Sequence, residues 1–189
     1  MRPDPATATA TARADELLVL RCQLGERAAF EPLVMRWAGP LRRHVLRVTG
    51  DPEAADELTQ DIWLRVVQGI GRLRQPEQFR SWLFGIAHRV LMDRFRQHYA
   101  SRHDAADVFD QMAEPGDGAG RLEATLDVER HLHRLPMVER EVITLFHLDE
   151  LPLADVAQAL GVPVGTVKSR LFRARQLLRQ SLTQEETLP

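Results

Sequence analysis

Apolar residues recur at spacings of three and four along nearly the whole chain, and β-branched runs of period two are missing, which predicts an all-α protein. Phe30, Leu33, Val34, Trp37, Leu41, Val45 and Val48 form the stripe of one amphipathic helix, with Gly39-Pro40 placed to kink or break it. That helix ends at Thr49-Gly50. Asp51-Pro52 starts the next, with Asp as N-cap and Pro in the first turn. Its inward stripe is Ala55, Leu58, Ile62 and Val66, and Gly69 and Gly71 interrupt it. Pro76 opens a third helix, whose stripe is Phe79, Trp82, Leu83, Ile86, Val90 and Leu91.

These helices make up one block, residues 14–100, preceded by a Pro/Ala/Thr tail at 1–13 whose ATATATA stretch is low-complexity and expected to be disordered. Residues 101–120 read as a flexible acidic linker: five Asp or Glu stand against one Arg, and PGDGAG has no helical or strand period. Fully extended, such a linker reaches roughly 66 Å. A second block follows at 121–183. It holds one helix with Leu122, Leu126 and Leu132, and another opened by Pro136 with Val138, Val142, Leu145 and Phe146 on one face. Residues 184–189 are a tail. The expectation is two small helical domains joined by the linker.

Within the second block, residues 153–160 and 164–179 predict two helices around a Gly161-Val162-Pro163 turn. Val156, Ala157 and Leu160 face inward on the first helix, and Val164, Val167, Leu171, Ala174 and Leu178 on the second. This is the helix-turn-helix arrangement, in which the second helix enters the major groove of DNA. Charge supports that reading. The chain carries 25 Lys+Arg against 27 Asp+Glu, so it is not uniformly basic. Yet Lys168, Arg170, Arg173, Arg175 and Arg179 lie on this helix with no acid among them. Off its buried stripe stand Thr166, Lys168, Ser169, Arg170, Phe172 and Arg173, suited to guanine edges, phosphates and a thymine methyl. A basic face that is simply solvated, or packed on an acidic partner, is the plainer alternative.

The first block has two unlike faces. Glu53, Asp56, Glu57, Gln60 and Asp61 make the second helix acidic on its outer side, which repels phosphate and suits either a protein partner or solvent. The third helix carries Arg80, Arg89, Arg94 and Arg96 interleaved with Phe79, Trp82, Phe84 and Phe95, a pattern suited to single-stranded nucleic acid. Phe79 and Trp82 also fit the core stripe. The loop from Gly69 to Gln78 beside this face is placed to hold an extruded base.

At 44% hydrophobic and 28% charged residues the composition is that of a globular protein, with no apolar run of membrane-spanning length and no secretory leader, so a cytoplasmic location is expected. A lone Cys22, the His131/His133 pair two residues apart, and a PGDGAG segment without a following Lys-Ser/Thr offer no metal site, cofactor site or phosphate loop. No catalytic constellation and no small-molecule substrate are expected.

DELTQDIWLRV followed by FRSWLFGIAHRVLMDRFRQ resembles the core-binding and promoter-melting domain of bacterial sigma factors. LPMVEREVITLFHLDELPLADVAQALGVPVGTVKSRLFRARQLLR resembles their second promoter-reading domain, and the two-domain length resembles the extracytoplasmic-function branch. The resemblance implies an alternative sigma factor, with core RNA polymerase (its β′ clamp helices and β flap), promoter DNA and an anti-sigma factor as partners. It implies docking on the clamp helices through Asp56, Glu57, Gln60, Asp61 and Leu64. It implies opening and reading of the −10 element through Leu73, Arg74, Arg80, Ser81, Trp82, Phe84, Arg89, Asp93 and Arg94. Reading of the −35 element falls to Thr166, Lys168, Ser169, Arg170, Phe172, Arg173 and Arg175. The chain departs from the family pattern at two places. Leu151-Pro152-Leu153 stands where Ser or Thr often caps the first helix of the helix-turn-helix, and Gly85 stands where relatives often carry a larger residue. The competing readings are a free-standing helix-turn-helix regulator, which binds duplex DNA unaided, and an adaptor that binds polymerase without reading DNA.

Overall fold

The computed structural model describes residues 5–100 and 129–185. The acidic linker expected at 101–120, with Leu122 and Leu126, lies outside the described residues, as do residues 1–4 and 186–189. Every regular element among the described residues is helical. They are α1 (Pro5–Gln23), α2 (Phe30–Thr49), α3 (Pro52–Gly69), α4 (Phe79–Ala100), α5 (helical residues 129–133), α6 (Met137–Ile143), α7 (Leu153–Leu160) and α8 (Val164–Glu185).

The boundaries follow local chemistry. Gly50 closes α2 in the left-handed conformation at φ 75°, and its N–H bonds to the Leu46 carbonyl. The Asp51 side chain then accepts the Glu53 and Ala54 N–H groups and caps α3. Gly161, at φ 65°, ends α7 before the turn into α8. Pro152 stands at the N-cap of α7 and offers no side-chain acceptor, as the missing Ser or Thr implies.

Three expectations differ from the structure. Pro40 lies inside an unbroken α2, because Trp37, Leu41, His44 and Val45 on both sides of it are held in the same core. Helix α1 begins at Pro5 rather than near Ala14. Alanine is the strongest helix former and Pro suits a first turn, so the Ala/Thr stretch continues the helix. At the other end, α8 runs to Glu185, past the expected boundary at 183.

Helices α1–α4 enclose Leu33, Leu41, Val45, Leu58, Ile62, Phe79, Leu83 and Leu91, while α5–α8 enclose Leu135, Leu145, Val156, Val167, Leu171 and Ala174. The two sets of buried residues form one continuous core. They meet where α7 lies against α4 and where the segment after α6 lies against α2. That segment, Thr144–Leu148, is a widened π turn. The Asp149 N–H bonds to the Thr144 carbonyl at 2.8 Å, and the extra residue carries Asp149 to His44 of α2 at 2.6 Å.

Candidate polymerase and nucleic-acid interfaces

On α8 the buried positions Val167, Leu171 and Ala174 fix the rotation of the helix, leaving Lys168, Ser169, Phe172, Arg173 and Arg175 exposed, with Thr166 and Arg170 half-buried beside them. Phe172 is 63% exposed although aromatic. Arg173 reaches Glu139 at 3.5 Å, and Arg175 lies 3.1 Å from His147 Nε2. Ser169 Oγ donates to the Thr166 carbonyl at 2.9 Å. All seven residues expected to read duplex DNA therefore lie on the outer side of one helix.

The acidic face of α3 is equally open. Asp56, Glu57, Gln60 and Asp61 are exposed, and Leu64 is 60% exposed next to an exposed Val67. Arg42 grips Asp56 through two bonds of 2.5 and 3.1 Å, which holds that carboxyl below the usual carboxylate range. Glu57 is 3.9 Å from Arg94, and Asp61 has no ion pair among the described residues. Carboxylates flanking exposed apolar side chains suit contact with a protein better than contact with phosphate.

On α4 the expected −10 residues divide into two groups. Trp82 and Arg89 line an open cavity of about 260 Å³ with Arg65, Gly69, Arg72 and Ile86. A Cβ at Gly69 would stand 3.0 Å from Trp82 Cζ2, so a side chain there would crowd the indole that lies against the end of α3. Gln23 of α1 donates to the Ile70 and Leu73 carbonyls at 3.0 and 2.8 Å and fixes the adjoining loop. Arg74 is exposed on that loop, and Leu73 is half-buried against the core. Asp93 bonds Arg96 at 2.5 Å and lies 3.4 Å from Arg65, while Arg94 is exposed. Three guanidiniums around a half-buried indole offer phosphate contacts beside a stacking surface.

The second group faces the C-terminal helices. Phe84 is 1% exposed, edge-on to Trp37 and His44. Ser81 is 2% exposed and shares its hydroxyl between the Gln78 carbonyl and Gln158 Oε1. Arg80 lies over the Trp37 ring, donates to the Asp149 carbonyl, and is lowered in pKa by burial. Reading the chain alone missed Arg65 and Arg72. The signal was present: Arg65 stands four residues before Gly69, on the side that a missing side chain leaves open.

Two family models match the chain: Sigma-70 region 2 over residues 33–108, and Sigma-70, region 4 over residues 125–178. The chain is 34% identical over 170 residues to the ECF RNA polymerase sigma factor SigM of Mycobacterium tuberculosis, covering 90% of this chain and 85% of that protein. The chain belongs to the ECF sigma factors.

It is also 28% identical to the ECF RNA polymerase sigma factor SigW of Bacillus subtilis, over 84% of this chain and 91% of that one. Among solved structures it is similar to CnrH in complex with the cytosolic domain of CnrY, with a TM-score of 0.68 and 26% identity over 90% of this chain and 98% of that one. It also shares the fold of RpoE from Bartonella quintana, solved with the anti-sigma factor NepR, with a TM-score of 0.65 and 23% identity over 82% and 96% of the two chains. As an ECF sigma factor, the protein is a non-catalytic specificity subunit. It binds core RNA polymerase and directs promoter-specific transcription initiation, with its N-terminal domain serving the −10 element and its helix-turn-helix the −35 element. No helix among the described residues is long and apolar enough to cross a membrane.

Proposed function

We propose a residue-level division of labour for this sigma factor, carried by one observation: its outer surfaces are segregated by charge, acidic and apolar on α3 and cationic on α8. The α3 face of Asp56, Glu57, Gln60, Asp61 and Leu64 docks on the β′ clamp helices, and the C-terminal domain meets the β flap. Trp82, Arg89, Arg94, Asp93, Leu73 and Arg74 hold the −10 strand around the cavity that Arg65 and Arg72 complete. Arg80 and Ser81 join them once the C-terminal domain has moved off α4, whereas Phe84 stays packed against Trp37 and His44 of α2. Thr166, Lys168, Ser169, Arg170, Phe172, Arg173 and Arg175 read the −35 duplex. The domains are residues 14–100 and 121–183, with 101–120 as the linker between them. Like CnrH and RpoE, which were solved with CnrY and NepR, this sigma factor is held by an anti-sigma factor, and it works in the cytoplasm, where core polymerase resides.

The test is transcription from genomic DNA by core polymerase reconstituted with the purified chain, mapping the starts. The wild type gives a discrete set of starts, and Arg170→Glu/Arg173→Glu loses them while still co-eluting with core. Unchanged starts with the double variant would refute the −35 assignment.

A further inference from the structure

Helix α1 lies ahead of residues 33–108, which match region 2, yet it holds the loop assigned above to the −10 strand. Its last residue, Gln23, uses both hydrogens of its side-chain amide on that loop. Nε2 donates to the Ile70 carbonyl at 3.0 Å and to the Leu73 carbonyl at 2.8 Å. The Leu73 N–H also reaches the Ile70 carbonyl, at 3.2 Å, so the amide clips together the two ends of one tight turn.

Gln23 is itself anchored. Helix α1 ends in a left-handed turn at Gly25, φ 86°. There the Gly25 N–H bonds to the Cys22 carbonyl and the Glu26 N–H to the Arg21 carbonyl, each at 3.0 Å. The Arg21 side chain donates to Glu26 at 2.7 Å across the same turn. The amide is therefore presented from a fixed backbone. At the far end of the loop, Pro76–Gln78 pack on α1 as well. Both ends of the loop are held by one helix, while Arg74 and Gln75 between them are exposed.

We infer that Gln23 is a positioning residue for base selection at the −10 element, its amide fixing the Leu73–Arg74 peptide in the orientation that accepts an extruded base. The selection rests on the proposed assignment of this loop to the −10 strand, whereas the tie between α1 and the loop rests on contacts within the chain. The consequence is a split between specificity and affinity. Phosphate contacts position a strand, and base contacts specify it. Arg65 and Arg89 stand on α3 and α4, outside the loop, so their hold on the strand survives loss of the amide. Discrimination between bases needs a fixed loop and does not survive. A loop that is competent for part of the time favours the preferred base only in proportion to that fraction.

The experiment compares the full chain with Gln23→Met, which keeps the side-chain length but donates nothing, and with Gln23→Glu, which turns only acceptors toward the two carbonyls at neutral pH. Amide hydrogen exchange of the free chain reads the loop, and tryptophan emission in urea reads overall stability. Holoenzyme made with each protein is then bound to a pool of forked duplexes randomised over the single-stranded −10 nucleotides, and the bound fraction is sequenced. Exchange in the Ile70–Gln75 segment should rise roughly tenfold in both variants, as expected on losing two hydrogen bonds. Base preference at one −10 position should fall at least about fivefold, while preferences elsewhere, core affinity and total bound DNA change by less than about twofold. Unchanged exchange in the folded variants overturns the tie. Faster exchange with full base preference overturns the positioning role, as does an equal loss of binding at every position, which general destabilisation would give. A wild-type holoenzyme that selects no base at any −10 position would instead overturn the reading of the loop, leaving the exchange result to judge the tie.

Discussion

Arg140→Met should lower the stability of the whole chain by about 3 kcal/mol. Arg140 is 5% exposed on α6, and its guanidinium donates to three backbone carbonyls: His133 at 2.5 Å, Val48 at 2.8 Å and Leu135 at 2.9 Å. Val48 is in the last turn of α2, where carbonyls have no partner within the helix. Burial lowers the Arg140 pKa to about 10, so the charge itself is held at a cost that the three carbonyls offset. Methionine keeps the apolar stem and leaves no large void, but strands three acceptors at about 1 kcal/mol each, the low end of the range for such groups. All three tryptophans, Trp37, Trp63 and Trp82, lie in α2–α4. Tryptophan emission therefore reports the N-terminal domain, and a change on α6 moves it only if the two domains unfold together. With a urea slope near 2 kcal/mol/M, the emission midpoint should fall by about 1.5 M. A fall of less than about 0.3 M would refute the reasoning that this arginine ties the domains together.

His133, packed beside Gly50 and Arg140, has its pKa lowered to about 4 by burial and by the neighbouring guanidinium. The unfolded chain takes up that proton more readily, so stability should rise with pH between about 4 and 6.5 and level off above; His133→Gln should flatten this part of the profile in urea melts at stepped pH. Gly69→Val should push Trp82 out of its place, since even a Cβ would stand 3.0 Å from the ring; a shifted Trp emission maximum and at least tenfold weaker binding of holoenzyme to forked −10 DNA are expected, and unchanged binding would count against the cavity's role. Phe172→Ala, at a side chain 63% exposed, should change stability by less than about 0.5 kcal/mol and weaken −35 duplex binding by holoenzyme severalfold, read by gel shift.

Much of the fold was legible because the signals are local. Asp51 caps α3, Gly50 and Gly161 close helices in the left-handed conformation, and most of the stripes on α3, α4 and α8 is buried where the 3.6-residue period puts it, although Val164, expected inward, is 39% exposed and Trp82 is half-buried. The α8 surface was legible for the same reason, since a helix whose buried side is known has a known outer side. The closure of the two domains was not legible, because it joins positions some seventy residues apart across the linker. Seen along α4 alone, Gly85 is a weak helix residue; seen against α7, it is the space that Ala159 occupies. Phe84 shows the same limit. Its place among arginines suits a base-stacking ring, and its burial against Trp37 and His44 depends on α2, which no spacing within α4 reveals.

The central claim is that this chain docks on core RNA polymerase through its acidic α3 face. It is tested most directly by gel filtration of the chain with core polymerase, wild type against Glu57→Lys/Asp61→Lys/Leu64→Ala, three changes at exposed positions that leave the Arg42–Asp56 pair intact. The account predicts that the wild type co-elutes with core and that the triple variant, equally helical, elutes alone. Co-elution of the triple variant at wild-type affinity would contradict it.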